Sequence, residues 1–128
     1  KEIEGYLDEL EENVPSNLED YLKSRKSQLI CERLFEIILE GVADIMFIFI
    51  KESKIDIPED DESAFDKLVD EKIISHELGR NLHEARRMRN IIAHKYGSIN
   101  NELVFNTIKE EIVKDIREFI KAIRKDLT

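Results

Sequence analysis

Tryptophan is absent, and cysteine, proline and glycine are scarce: 128 residues hold one Cys, two Pro and four Gly. A single cysteine, Cys31, excludes an internal disulfide, suits a reducing interior and reads as a small core residue. So few turn formers disfavour a turn-rich all-β protein and favour a helical one. Long apolar runs are missing too. The longest, Ile45 to Ile50, is far too short to span a bilayer, and no signal peptide is visible, so no membrane association and a cytoplasmic location are expected. The start without a methionine is consistent with a few residues ahead of it. No glycine-rich phosphate loop occurs, and therefore no sign that this chain itself hydrolyses a nucleotide. His83-Glu84-x-x-Arg87 puts an arginine where a zinc-protease helix needs its second histidine. No metal and no cofactor are expected.

What is present is charge. Charged residues make up 38% and hydrophobic ones 41% of a length suited to one domain over residues 1–128. The Lys, Glu and Ile richness also fits a thermophile, weakly. The net charge of −9 argues against nucleic acid, but the distribution is uneven. His76 to Tyr96 carries five Lys or Arg against two Glu, a local +3, which leaves −12 for the rest.

Apolar periodicity organises the chain into about five helices. Ile3, Tyr6, Leu7 and Leu10 define a first helix ending near Val14-Pro15. Ser16 with Glu19 has the pattern of a capping box and predicts a long second helix to about Lys51. From Phe35 to Ile50 that helix is apolar nearly all round except for Glu36, Glu40 and Asp44 on one stripe, which suggests cover by a partner subunit. The stripe is either a solvent face or a row of carboxylates facing cations. A polar loop over 51–61 leads to a short third helix, capped by Asp61 or Ser63 and holding Phe65, Leu68, Val69, Ile73 and Ile74. Ser75 caps a fourth helix running to about His94. Asn100 or Asn101 starts a fifth, with Phe105, Ile108, Ile112, Ile116, Phe119, Ile120 and Ile123 on one face. The absence of any period-2 pattern makes the expected fold an all-α helical bundle.

The fourth helix carries the candidate chemistry, in Arg86-Arg87-Met88-Arg89-Asn90-Ile91-Ile92-Ala93-His94-Lys95-Tyr96. At about 100° per residue, Leu78, Leu82, Ala85 and Ile92 form its apolar face, and Arg89 falls among them. A buried cation needs a counter-charge, a polar cleft or a phosphate. Glu40 or Asp44 is the structural candidate. His83, Arg86, Arg87, Asn90 and His94 share an adjoining arc, which is a candidate anion site; read separately, they are a helix-terminal histidine and a solvated basic face. His76 and His83 read as ordinary surface or boundary residues.

Arg89, four intervening residues, His94, one residue and Tyr96 resemble the Arg-x4-His-x-Tyr signature of HEPN-domain toxins. The run Met88 to Tyr96 followed by Ile99-Asn100 is similar to the HepT-like branch, as are Cys31-Glu32-Arg33-Leu34, the spacing on to Asp44-Ile45, and Phe65-Asp66-Lys67-Leu68. The resemblance covers nearly the whole chain. It implies a dimerising helical bundle with the two motif helices near the interface, acting as a metal-independent endoribonuclease toxin. The implied partner is an MNT-type nucleotidyltransferase antitoxin, in a homodimer or a higher assembly with it, which silences the toxin by adenylylating the motif tyrosine, here Tyr96.

The residues suit that chemistry. Metal-free RNA cleavage needs a base for the 2′-hydroxyl proton, an acid for the leaving oxygen and cations for the phosphoryl charge. His94 is the candidate for the base or the acid, since an imidazole can play either part. Arg89 would hold the phosphate, Asn90 would orient His94 or a phosphate oxygen, and Arg86, Arg87 and Lys95 would bind the RNA backbone. Tyr96 would position the strand, and Glu40 or Asp44 would fix Arg89 from behind. Two alternatives remain open: a non-catalytic HEPN module that binds a nucleotide or partners a nucleotidyltransferase, and a purely structural dimeric bundle.

Overall fold

The computed structural model describes residues 2–53, 56, 58–94 and 99–127, and among these every regular element is helical. In α1 (Glu2–Asn13), Ile3, Leu7 and Leu10 lie on one buried stripe, with Glu2 and Glu4 favourably placed at the positive end of the helix dipole. Val14 and Pro15 follow the helix.

The expected second helix is two helices. Asn17, not Ser16, caps α2 (Leu18–Lys23), its side chain accepting from the Asp20 amide at 2.9 Å. Ser24 then leaves helical geometry, with φ −113° and ψ 97°, and its hydroxyl oxygen accepts from the Ser27 amide at 3.1 Å to start α3 (Arg25–Glu52). A serine competes with the helix for backbone amides, so it works better as a new cap than as an interior residue. The break frees carbonyls that must be satisfied. Buried Gln28 does this by donating to the Tyr21 and Leu22 carbonyls at 3.0 and 3.2 Å.

α3 is the hub of the fold. It packs against α1, α2, α4 (Asp61–Asp70) and α5 (His76–His94), so Phe35, Ile38, Leu39, Val42, Met46, Phe49 and Ile50 are buried within the chain itself. Each such side chain contributes about 1.5–3 kcal/mol on burial. Intrachain helices thus cover most of the apolar surface that pointed to a partner; Ile48, 60% exposed, and Leu29 stay open.

α4 is capped by Asp60, rather than Asp61 or Ser63, through the Ser63 amide at 2.8 Å. That amide, with the Ser63 side chain second, holds the Asp60 carboxyl below its ordinary range. α4 also ends earlier than expected, because Lys72 adopts the left-handed conformation (φ 61°) and the Ile73 amide turns back to the Leu68 carbonyl at 2.9 Å. Ile73 and Ile74 therefore lie beyond the helix. Ser75 does cap α5, accepting from the Leu78 amide at 3.0 Å.

The last expected helix is capped by Asn100, one of its two candidate starts, and divides into α6 (Asn101–Asn106), a π-helical turn (Thr107–Ile112) and α7 (Val113–Leu127). The junctions keep right-handed helical angles, so the run is continuous with a local change of register. All seven apolar residues assigned to one face, Phe105 to Ile123, are buried. Tyr21 packs its ring at 5.4 Å from Phe105, joining α2 to α6. Among the described residues no helix is long and apolar enough to cross a membrane.

Candidate active site around Arg89

α5 is amphipathic in the sense its sequence predicted: Leu78, Leu82, Ala85 and Ile92 are buried, together with Met88 and Gly79. Gly79 permits the close approach of α4, since a Cβ there would stand 2.6 Å from Val69 Cγ2. The packing of α5 against α3 and α4 brings its polar edge onto two sets of carboxylates.

Arg89 sits at the boundary of the core, its side chain 30% exposed. Its Nη2 donates to Glu40 Oε1 of α3 at 3.3 Å and its Nη1 to Asn90 Oδ1 at 3.2 Å. Glu40 is therefore the carboxylate that fixes Arg89. Among the described residues no ion pair engages Asp44, one turn further along α3, and the buried Nε of Arg89 has no hydrogen-bond partner. An arginine gripped at two nitrogens is oriented at little entropic cost for a further ligand.

Arg86, one turn before Arg89, points to the first turn of α4, where its guanidinium lies 3.8 Å from Asp61 and 3.9 Å from Glu62. The two arginines and their carboxylates surround a cavity of about 300 Å³ lined by Glu40, Asp44, Asp61, Arg86 and Arg89, with Leu39, Ala43 and Phe65 as apolar wall. Sequence reasoning missed Asp61 and Phe65 as site residues. The signal for them lies between helices, not within one.

The other candidates are placed differently. Arg87 is exposed on another side of α5, paired with Glu84 at 3.1 Å, and does not line this cavity. His83, packed edge-on against Phe65 with ring centroids 5.4 Å apart, has its Nε2 3.0 Å from Asp66 Oδ1. His94 is exposed at the end of α5, four residues and so about one turn beyond Asn90. Lys95 and Tyr96 lie outside the described residues.

An all-helical bundle in which one helix carries an oriented Arg-Asn pair and, a turn after the asparagine, a terminal histidine agrees with the resemblance to HEPN domains. Residues 3–123 match the family model described as Ribonuclease HepT-like, and the chain belongs to that family. It is 32% identical over 106 residues to the tRNA nuclease HepT of Aphanizomenon flos-aquae, an alignment covering 83% of this chain and 72% of that protein. It is also 25% identical over 87 residues to the mRNA nuclease HepT of Shewanella oneidensis, covering 68% and 65%. Among solved structures, a tri-AMPylated HEPN toxin of Shewanella oneidensis in complex with MNT antitoxin superposes with a TM-score of 0.89 at 20% identity, over 96% of this chain and 91% of that one.

Proposed function

We propose that this protein is a metal-independent endoribonuclease toxin held in check by a nucleotidyltransferase antitoxin. The observation that carries the proposal is the Arg89 arrangement, a guanidinium fixed by Glu40 and by Asn90, with His94 about one helical turn beyond Asn90, in a chain whose family is named as ribonuclease and whose curated relatives are named as RNA nucleases.

In this reading Arg89 binds the scissile phosphate and stabilises the charge that develops on its non-bridging oxygens. His94 transfers the proton between the 2′-hydroxyl, its own imidazole and the leaving 5′-oxygen; two subunits placing two His94 side chains at one site would supply base and acid at once. Asn90 holds Arg89 through its carbonyl oxygen and keeps its amide group available to a phosphate oxygen. Arg87 and Lys95 bind the strand beyond the cut. Adenylylation of Tyr96 by the antitoxin adds bulk and negative charge that repel RNA.

The test is cleavage of a labelled RNA in EDTA by the purified parent, free of adenylyl groups, beside His94→Ala. Cleavage by the parent alone, with the variant keeping its helical circular dichroism, is the expected result. Equal cleavage by both would sink the mechanism, and cleavage by neither would favour the non-catalytic HEPN module. Sedimentation of the same samples checks the shared site, because an active monomer would exclude it.

A further inference from the structure

Beyond the phosphate position on Arg89, the cavity beside it is poorly suited to a second anion. Glu40, Asp44 and Asp61 set three negative charges against the two of Arg86 and Arg89, and the Asp44 carboxylate is engaged by no ion pair among the described residues. Such a site resists a second anion, but it offers a neutral ligand both strong acceptors and strong donors against an apolar wall of Leu39, Ala43 and Phe65.

We propose that this cavity is a nucleobase subsite selective for guanine, with Asp44 reading one edge of the base and Arg86 another. This rests on the ribonuclease reading and adds a substrate preference to it. Guanine presents two adjacent donors, N1–H and the N2 amino group, which match the two oxygens of one carboxylate. It also presents two adjacent acceptors, O6 and N7, which match the fork of one guanidinium. Adenine and cytosine each offer a carboxylate only their exocyclic amino group, and uracil only one ring N–H. A cavity of about 300 Å³ admits a purine ring. The division of labour follows from the contacts: Glu40 is committed to Arg89 at 3.3 Å, whereas Arg86 reaches its carboxylates only at 3.8 and 3.9 Å and can turn to a base without losing a short hydrogen bond. The base entering here belongs to a nucleotide flanking the phosphate on Arg89, so the cut should fall next to a guanosine.

Two measurements on the full chain test this independently. Titration of guanosine, inosine and adenosine 3′-monophosphates, followed by calorimetry, should give binding in the order guanosine, inosine, adenosine, because inosine lacks only the N2 amino group. Asp44→Asn should lower the guanosine-over-adenosine ratio by about tenfold or more, since a site built around a lost hydrogen bond discriminates on that scale. Sequencing of the RNA ends produced by the parent should show guanosine enriched beside the cut, and Asp44→Asn should flatten that enrichment. Equal binding of the three nucleotides, or a ratio unchanged in Asp44→Asn, would overturn the subsite even if RNA is cleaved. Guanosine-selective binding that depends on Asp44, in a protein that cuts no RNA, would support the subsite and overturn the ribonuclease reading instead.

Discussion

Arg89 shows how one side chain can be fixed without being locked away. Glu40 is about half exposed and its pair with Arg89 is partly solvated, and such pairs contribute only about 0–1 kcal/mol to folding. Its importance is in geometry. We expect Glu40→Gln to leave the thermal midpoint within about 2 °C of the parent while lowering kcat/KM for RNA by roughly tenfold, as an oriented guanidinium becomes a mobile one. A variant as active as the parent would show that Glu40 is only a surface partner. The need for a counter-charge was legible in the sequence, because an arginine among Leu82, Ala85 and Ile92 cannot stay bare. The choice of Glu40 over Asp44 was not, since both lie on one stripe and one helical turn separates them. Likewise Arg86 and Arg87 look equivalent as neighbours in sequence, yet the rotation of one residue sends Arg86 into the cavity and Arg87 away from it. Cys31 behaves as its isolation suggested: it is fully buried, and burial pushes its thiol up to about 11.

Among the helices, the stretches with unambiguous apolar period were readable and their ends were less so. Ser75 was identified as a cap because it stands alone ahead of its apolar stripe, whereas Asn100 and its neighbour Asn101 were both candidates and Asn100 is the one that caps. At Ser16-Asn17 and at Asp60-Asp61, adjacent residues can both cap, and the local backbone decides between them. The break at Ser24 was hidden by the uninterrupted helix-forming composition around it, and the buried Gln28 that supports it looks like any polar residue in sequence. Lys72 gave no warning of a left-handed turn, which glycine usually occupies, and the π turn over Thr107–Ile112 has no signature in its apolar spacing. The contact of α4 with α5 is a further tertiary fact that depends on one missing methyl group. Gly79→Ala would gain helix propensity but drive its Cβ to 2.6 Å from the stiff, β-branched Val69. We expect net destabilisation of about 1–3 kcal/mol by urea denaturation, with Val69→Ala in the same chain recovering most of it. A stable single variant would mean that α4 can shift freely, and that Asp61 and Glu62 are not held in fixed register with Arg86.

At the level of the whole molecule, the two ends of the chain are bound together by charge. Arg117 of α7 donates to Asp8 at 3.0 Å and to Glu11 at 2.9 Å, and Arg124 donates to Glu4 at 2.7 Å, so α7 is tied to α1 across an acidic surface. These exposed contacts weaken with salt, and the stability of the bundle rests on the core beneath them. One carboxylate works against that core. Asp115 is buried on α7, where it accepts a hydrogen bond from Asn81 of α5; desolvation raises its carboxyl above the ordinary range, Glu111 and Glu118 add to the shift, and Asn81 and Lys114 oppose it. The folded state therefore binds the Asp115 proton more tightly than the unfolded chain does. This contribution is fully present below the unfolded value of about 3.9 and is lost as pH rises through the higher folded value. At neutral pH the ionised group is a standing cost to folding. We expect Asp115→Asn to raise the thermal midpoint at pH 7 by roughly 3 °C or more, and the gain to shrink as pH falls through the raised folded value of the parent carboxyl. A gain that persists unchanged at low pH would trace the effect to packing, and a loss at pH 7 would show that the Asn81 hydrogen bond to the charged form outweighs the cost of burying it.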